Sequence, residues 1–90
     1  MRESSIENYL VERVKALGGE VRKVKWVGRN GAPDRIVLLA GNATWIELKA
    51  TGENPKPNQV REHVCLRKAG QRVVVIDSFE GVDEVLSESK

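Results

Sequence analysis

Apolar residues near the start of the chain recur every three or four positions, at Ile6, Leu10, Val14 and Leu17. This spacing predicts an amphipathic helix over residues 3–17, which the Gly18-Gly19 pair ends. Glu7 falls inside the apolar stripe when successive residues are placed about 100° apart. Two interpretations of that carboxylate stand side by side: it closes a capping box with Ser4, or it belongs to a functional site.

Alternating and continuous apolar patterns then predict three strands, over residues 20–27, 34–40 and 43–50. The segment 28–33 contains two glycines and an asparagine, which accept positive φ, and this composition indicates a turn. Gly41 and Asn42 mark a tight hairpin between the second and third strands. The first half of the chain is therefore expected to be one helix followed by three strands.

The second half predicts a helix, a strand and a helix. Pro57 suits the first position of a helix that would run to Ala69 and end at Gly70, although its apolar residues do not share one stripe. Residues 72–77 have the β-branched composition of a strand buried on both sides. Ser78 is placed to cap a last short helix, whose inward face would carry Val82, Val85 and Leu86.

These elements predict an α/β fold in the order α-β-β-β-α-β-α, with a mixed central sheet of about four strands flanked by helices. The strand–helix–strand unit at the end requires a parallel pair with a right-handed crossover. A length of ninety residues predicts one domain over residues 1–90.

Composition narrows the class of protein. The chain is 40% hydrophobic and 31% charged, which is typical of a globular protein and not of a disordered one. The single cysteine, Cys65, excludes an internal disulfide and suits a reducing cytosol. The sequence has no apolar run near the ~20 residues that span a bilayer and no signal-peptide core. We therefore expect a soluble protein of the bacterial cytosol, without a membrane partner.

Three polar residues carry the clearest chemical signal. Asp34 opens the second predicted strand, and Glu47 and Lys49 lie two positions apart on the third. Residues i and i+2 of a strand point to the same face, so Glu47 and Lys49 project together. Pairing of the two strands would bring Asp34 beside them. Two carboxylates and an ammonium at one point are suited to binding Mg²⁺ and hydrolysing a phosphodiester.

Each of these residues also has a structural interpretation. Asp34 is a common type of turn residue, and Glu47 with Lys49 can be a surface ion pair worth about 0–1 kcal/mol. A functional role for these residues is favoured over a structural one, because the strand around Glu47 has the apolar flanks of a central strand. Charges buried in a small core are unfavourable by several kcal/mol unless they are paired or bound to a metal.

The second long helix offers weaker signals. Gln59 is either an orienting group or a surface residue. His63 and Cys65 point in different directions, so no zinc site is predicted, and Cys65 is interpreted as a packing residue. Asp77, at the end of the last strand, is interpreted as a cap of the following helix.

Basic residues cluster around the candidate acid, although the formal net charge is only +2. The candidates for contacts with DNA phosphates are Lys23, Lys25, Arg29 and Arg35. For each of them, a position on a solvated strand face is the alternative interpretation.

The set Glu7, Gly31-Ala-Pro33-Asp34, Glu47-Leu-Lys49 and Gln59, in this order on a helix, two strands and a helix, resembles the PD-(D/E)XK nuclease superfamily. Within it, the chain is similar to a stand-alone virus-type replication-repair nuclease (VRR-NUC) domain, from the first helix through residues 72–77. The stretch Trp26-x-Gly-x-Asn-Gly31-x-Pro-Asp makes this resemblance more specific than Pro-Asp and Glu-x-Lys alone.

The resemblance implies a restriction-endonuclease-like fold and DNA cleavage with Mg²⁺ or Mn²⁺. Asp34 and Glu47 would bind the metal together with the backbone carbonyl of Leu48. Glu7 would bind a second metal or a metal-bound water. The resemblance further implies that Lys49 orients and activates the attacking water.

Gln59 would help to position that water. Small stand-alone members of the family resemble archaeal Holliday-junction resolvases, in which a dimer presents two sites to a four-way junction. The resemblance therefore implies a homodimer acting on branched DNA, encoded by a phage or a cell. The alternatives are a flap, nick or general duplex nuclease with the same site, and a non-catalytic DNA-binding module whose acids form structural pairs.

Overall fold

Three helices and four strands make up residues 1–88, the part of the chain that the computed structural model describes. They are α1 (Glu3–Ala16), β1 (Glu20–Lys23), β2 (Arg35–Leu39), β3 (Asn42–Leu48), α2 (Pro57–Lys68), β4 (Val73–Ile76) and α3 (Phe79–Glu88). The predicted order of elements and the α/β class are confirmed. The first strand is shorter than the predicted 20–27, because residues 24–34 form an anchored loop.

The strands form one sheet in the order β1-β2-β3-β4. The pairs β1/β2 and β2/β3 are antiparallel, and β3/β4 is parallel. The predicted mixed sheet and its parallel pair are therefore confirmed. β3, which carries Glu47, lies between β2 and β4, as its apolar flanks predicted.

The apolar core lies between one face of the sheet and the helices α1 and α3. Its fully buried side chains include Ile6, Leu10, Val14, Val37, Ile46, Ile76, Val82 and Leu86. Burial of such side chains stabilises the fold by about 1.5–3 kcal/mol each. Because side chains alternate along a strand, the odd-numbered residues of β3, including Trp45 and Glu47, point to the opposite face.

α2 covers part of that opposite face, and it does so with polar side chains. The buried residues of α2 are Glu62 and His63, whereas Val60 and Val64 are exposed. This explains why the apolar residues of α2 show no common stripe in the sequence. The polar side chains of α2, and not its valines, therefore face the sheet.

The last strand and its flanks depart from the prediction at two residues, Val75 and Asp77. The predicted burial of β4 on both sides is confirmed in part: Val73 and Ile76 point to opposite faces and are 4% and 1% exposed, whereas Val75 is 39% exposed on this edge strand. Asp77 does not cap α3; its Oδ2 accepts a hydrogen bond from Gly52 N at 3.2 Å and fixes the loop after β3. Ser78 does cap α3, because Gly81 N donates to its Oγ at 2.9 Å. No helix within residues 1–88 is long and apolar enough to cross a membrane.

Candidate functional site

Asp34 and Glu47 are brought together by strand register. In the antiparallel β2/β3 pair, Arg35 lies opposite Ile46, so one further step places Asp34 opposite Glu47. The backbone of Asp34 extends the ladder to the other side, since Val24 N donates to Asp34 O at 2.9 Å. The two carboxylates therefore start from neighbouring positions on the same face of the sheet.

Two side chains, those of Lys49 and Gln59, approach one oxygen of the Glu47 carboxylate. Lys49 Nζ lies 3.8 Å from Glu47 Oε2, as expected for residues two apart on a strand. Gln59 Nε2 donates to the same oxygen at 3.4 Å, while its Oε1 accepts from Lys56 N at 2.8 Å. The backbone donor at the start of α2 thus fixes which end of the Gln59 amide faces Glu47.

The site is secluded enough to change the electrostatics of Glu47. Glu47 and Lys49 are only 8% and 9% exposed. Burial raises the pKa of the Glu47 carboxyl above its ordinary value, Lys49 opposes this effect, and Asp34 raises the pKa further. A carboxylate held in this way gains free energy from any additional cation that approaches it.

The loop that presents Asp34 is anchored on both sides. Trp26 Nε1 donates to Pro33 O at 2.7 Å, and the Trp26 ring packs on Trp45 with centroids 5.0 Å apart. On the other side, Gly31 approaches the backbone of α2 so closely that a Cβ there would lie 2.6 Å from Asn58 O. Pro33 is buried, so the backbone entering Asp34 is held in place.

Glu7 is not part of a capping box. α1 begins at Glu3 with Arg2 as its N-cap, so Ser4 already lies inside the first turn and that interpretation is wrong. The Glu7 carboxylate instead accepts from Arg35 Nε at 2.5 Å and pairs with Arg35 Nη2. Arg35 also reaches Asp34, with Nη1 2.9 Å from Asp34 Oδ1. One guanidinium therefore joins the two acids.

The donor set fits a divalent cation in part. Carboxylate oxygens suit Mg²⁺ and Mn²⁺, and Mg²⁺ is commonly held by one or two carboxylates together with water and substrate phosphates. Asp34 and Glu47 supply two carboxylates of this kind, although Asp34 is paired with Arg35 at 2.9 Å. Glu7 is bound to Arg35, and within residues 1–88 no three His, Cys, Asp or Glu side chains converge closely enough to hold a metal ion. Glu7 would have to leave Arg35 before it could serve as a ligand.

A basic cleft opens next to Asp34. Its lining includes Lys23, Lys25, Arg29 and Arg35, the four residues predicted to contact phosphates. Lys23 and Lys25 are exposed. Arg29 is exposed as well, but its Nη2 lies 2.5 Å from Glu62 Oε1 and its Nε 3.2 Å from Glu62 Oε2.

Sequence reasoning missed two residues of α2. His63 is buried, with Nε2 3.6 Å from Glu47 Oε1, whereas from the sequence it was considered only as a zinc ligand and set aside. Glu62 binds Arg29 and so connects α2 to the loop before Asp34. His63 lies four residues after Gln59, so the two share one helix face, and that spacing was the available signal.

Comparison with known proteins identifies relatives of this chain. No protein-family model matches the chain. A curated relative, named putative nuclease p44 of Acyrthosiphon pisum secondary endosymbiont phage 1, is 47% identical over 79 residues, covering 87% of this chain and 85% of that protein. A solved structure described as a VRR_NUC domain has a TM-score of 0.84 at 40% identity, covering 98% of this chain and 97% of that one. With this relative and this fold, the chain belongs to the VRR-NUC family of nuclease domains.

Proposed function

We propose that this chain is a divalent-metal-dependent endonuclease that hydrolyses phosphodiester bonds in branched DNA, and that it resolves Holliday junctions as a homodimer in the bacterial cytosol. The observation that carries the proposal is the position of Asp34 opposite Glu47, with Lys49 and Gln59 on the same carboxylate. Membership of a nuclease family and the nuclease name of the phage relative support it.

In this proposal Asp34 and Glu47 hold Mg²⁺ or Mn²⁺ together with the backbone carbonyl of Leu48. Glu7 contributes through a second ion or a bound water once Arg35 releases it. A bound divalent metal supplies Lewis-acid activation of the phosphate and lowers the pKa of a water ligand. The side chain of Leu48 is buried in the core, which fixes the strand at the point where its carbonyl is needed.

Lys49 and Gln59 orient the attacking water in this proposal. The ammonium of Lys49 lies on the Glu47 side of the site and would orient the attacking water and offset negative charge that develops on the phosphorane. Its seclusion strengthens that effect, because charges interact more strongly away from bulk water. Gln59 presents an N–H to the site while its oxygen is held by Lys56 N, so it can position the water without carrying charge.

The basic cleft supplies the DNA-binding surface in this proposal. Lys23 and Lys25 are exposed and available to phosphates, and they neutralise the backbone irrespective of base sequence. Arg29 and Arg35 line the same cleft. Arg29 is paired with Glu62, and Arg35 is paired with Glu7 and Asp34. Each arginine would have to share or break these ion pairs in order to contact a phosphate.

Junction resolution requires two such sites. The chain measures 33 × 30 × 21 Å along its principal axes and the proposal assigns it one site, whereas symmetric incision of a four-way junction needs two sites at a fixed separation. A two-fold dimer meets that need. Exposed apolar residues on α2 and at the sheet edge, Val60, Val64 and Val75, support a protein that associates with itself.

One observation favours a second candidate function, a DNA-binding module without catalysis. Arg35 joins Glu7 and Asp34 in ion pairs, which is what acids with a purely structural role would do. This candidate keeps the basic cleft and predicts no binding of divalent metals. Calorimetric titration with Mn²⁺ separates it from the nuclease.

The proposed nuclease is tested with a panel of DNA substrates. A four-way junction, a flap, a nicked duplex and a linear duplex are incubated with the protein in Mg²⁺ or Mn²⁺, and sedimentation measures its assembly state. Paired cuts in the junction by a dimer are expected. Preferred cutting of flaps, nicks or linear duplex would reassign the substrate, and no cutting of any DNA would leave the binding module.

Isosteric variants test the roles of the residues. Asp34→Asn, Glu47→Gln and Lys49→Met should each abolish cleavage, and Lys49→Met should leave DNA binding nearly unchanged. Glu12→Gln and Lys68→Met are matched controls, since both residues are exposed on helices. Cleavage that survives in Asp34→Asn or Glu47→Gln would overturn the assignment of these two acids.

A further inference from the structure

His63 lies beside Glu47, one of the two carboxylates that hold the metal in the proposed site. Its Nε2 lies 3.6 Å from Glu47 Oε1, while Gln59, one helical turn earlier, donates to Glu47 Oε2 at 3.4 Å. Residues i and i+4 share one face of a helix. Two polar side chains of α2 therefore lie next to the two oxygens of Glu47, His63 beside Oε1 and Gln59 beside Oε2.

Packing alone does not account for this histidine. His63 is 2% exposed, and its Nε2 is one of two buried side-chain nitrogens in residues 1–88 that lack a hydrogen-bond partner. A buried polar atom left unpaired is unfavourable by about 1–3 kcal/mol, which leucine or phenylalanine at this position would avoid. This unpaired nitrogen lies 3.6 Å from a carboxylate oxygen, so a small movement of either side chain would form the missing hydrogen bond.

We propose that His63 is a positioning residue that orients Glu47 for the divalent cation, with its Nε2–H donating to Glu47 Oε1 while Gln59 holds Oε2. This inference rests on the proposed role of Glu47 as a metal ligand. Carboxylates that bind metals are themselves commonly hydrogen-bonded by neighbouring side chains. Donors on both oxygens, His63 and Gln59, fix the plane of the Glu47 carboxylate. With Lys49 on one oxygen alone, the carboxylate would be free to rotate.

The proposal has a spectroscopic test that needs no metal. The chain contains one histidine, so the imidazole nitrogen resonances in a long-range ¹H–¹⁵N spectrum belong to His63 alone. The Nε2–H tautomer is expected in the metal-free protein, and Glu47→Gln should shift the Nε2 resonance. An Nδ1–H tautomer, or an Nε2 resonance indifferent to Glu47→Gln, would overturn the orienting role.

A second test measures Mn²⁺ affinity by calorimetry. His63→Leu keeps the packing and removes the donor, whereas His63→Gln keeps a donor near the position of Nε2. His63→Leu should weaken Mn²⁺ binding by roughly 10–100-fold, and His63→Gln should retain most of the affinity. In cleavage assays the half-activating Mn²⁺ concentration should rise in His63→Leu while the KM for DNA stays unchanged.

A matched control separates orientation from loss of stability. Val82→Ala removes buried volume in α3, on the other face of the sheet, and should lower the Tm without changing Mn²⁺ affinity. Wild-type affinity in His63→Leu would refute the positioning role. Absence of Mn²⁺ binding by the wild-type protein would defeat the proposed nuclease instead, and the tautomer measurement would still decide whether His63 orients Glu47.

Discussion

Arg35 and Glu7 form an ion pair between the sheet and α1, with Arg35 Nε donating to Glu7 Oε2 at 2.5 Å. Arg35 is buried and Glu7 is half-buried. The same guanidinium reaches Asp34 through Nη1 at 2.9 Å. A cation of the protein itself therefore neutralises two of the acids that the family resemblance assigns to metal binding. Any divalent ion that takes Glu7 or Asp34 as a ligand competes with Arg35.

The first prediction concerns Arg35→Met. Removing the guanidinium should lower stability in EDTA by about 1–2 kcal/mol, less than the 3–5 kcal/mol typical of a broken buried pair, because Asp34 is exposed and Glu7 is only half-buried. The rise in Tm on adding Mn²⁺ should be larger in Arg35→Met than in the wild type, since the competing cation is gone. Thermal unfolding in EDTA and in Mn²⁺ measures both effects.

The control for this prediction is Arg22→Met. Arg22 pairs with Glu20 on the surface of β1, at 2.8 Å, and should affect neither the stability in EDTA nor the response to Mn²⁺. An equal or smaller response to Mn²⁺ in Arg35→Met would mean that Arg35 does not compete for the acids.

The second prediction concerns the charge of Glu47. Because burial raises its pKa in the folded state, Glu47 contributes stability in its protonated form, and this contribution is lost as the pH rises through the folded pKa. Glu47→Gln carries no charge at any pH. At neutral pH it should stabilise the metal-free protein by about 0.5–2 kcal/mol while abolishing cleavage. Thermal unfolding between pH 4 and about 8 should show the advantage shrinking towards acid.

Glu53→Gln provides the comparison for Glu47→Gln, because Glu53 is exposed in the loop after β3. At neutral pH its Tm should match that of the wild type. If Glu47→Gln were less stable than the wild type at neutral pH, the ionised carboxylate would be a stabilising group and the assigned effect of burial would be incorrect.

The closeness of Asp34 to Glu47 was predictable in outline, because a short hairpin brings the start of one strand beside the end of the next. The register was not predictable to one residue: the turn lies at Ala40 and Gly41, both with positive φ, and Leu39 pairs with Asn42. A turn at Gly41 and Asn42 would instead have set Asp34 opposite Lys49. The period of two places Glu47 beside Lys49 in either register. The core face of α3 was predictable for the same reason, since Val82, Val85 and Leu86 follow helical spacing. Periodicity is informative wherever an element buries apolar side chains.

The contacts of Arg35, Glu62 and His63 could not be predicted in this way. All three are buried polar residues, and hydrophobic patterns do not register polar partners. Which oxygen His63 faces depends on how α2 crosses the sheet, and that is decided by long-range contacts such as the approach of Gly31 to Asn58. Val75 was predicted to be buried because its β-branched sequence does not reveal that β4 is an edge strand.

The third prediction tests the contact between the Asp34 loop and α2. Gly31 and Gly28 both have positive φ, at 82° and 81°, so alanine at either position is unfavourable by roughly 1–2 kcal/mol. A Cβ on Gly31 would also lie 2.6 Å from Asn58 O, whereas a Cβ on Gly28 meets nothing within 4 Å. Gly31→Ala should therefore destabilise the protein clearly more than Gly28→Ala, measured by urea unfolding.

Gly31→Ala should also reduce cleavage, because displacement of the loop from α2 shifts Asp34 relative to Glu47. Gly28→Ala is the matched control with the same backbone strain and no clash. Equal losses of stability in the two variants would show that the loop can move away from Asn58 without consequence.

The fourth prediction assigns the basic cleft to DNA by its salt dependence. Lys25 is exposed on the lining of the cleft, and each phosphate contact contributes about 0.9 to the slope of log K against log salt on duplex DNA. Lys25→Gln should therefore weaken binding to a four-way junction in EDTA and reduce the slope by roughly that amount. Lys68→Gln, at the end of α2, should leave the slope unchanged. If the slope of log K against log salt changed in Lys68→Gln and not in Lys25→Gln, the DNA would bind to another surface of the protein. A phosphate bound there would lie too far from Asp34 and Glu47 to be cleaved by them.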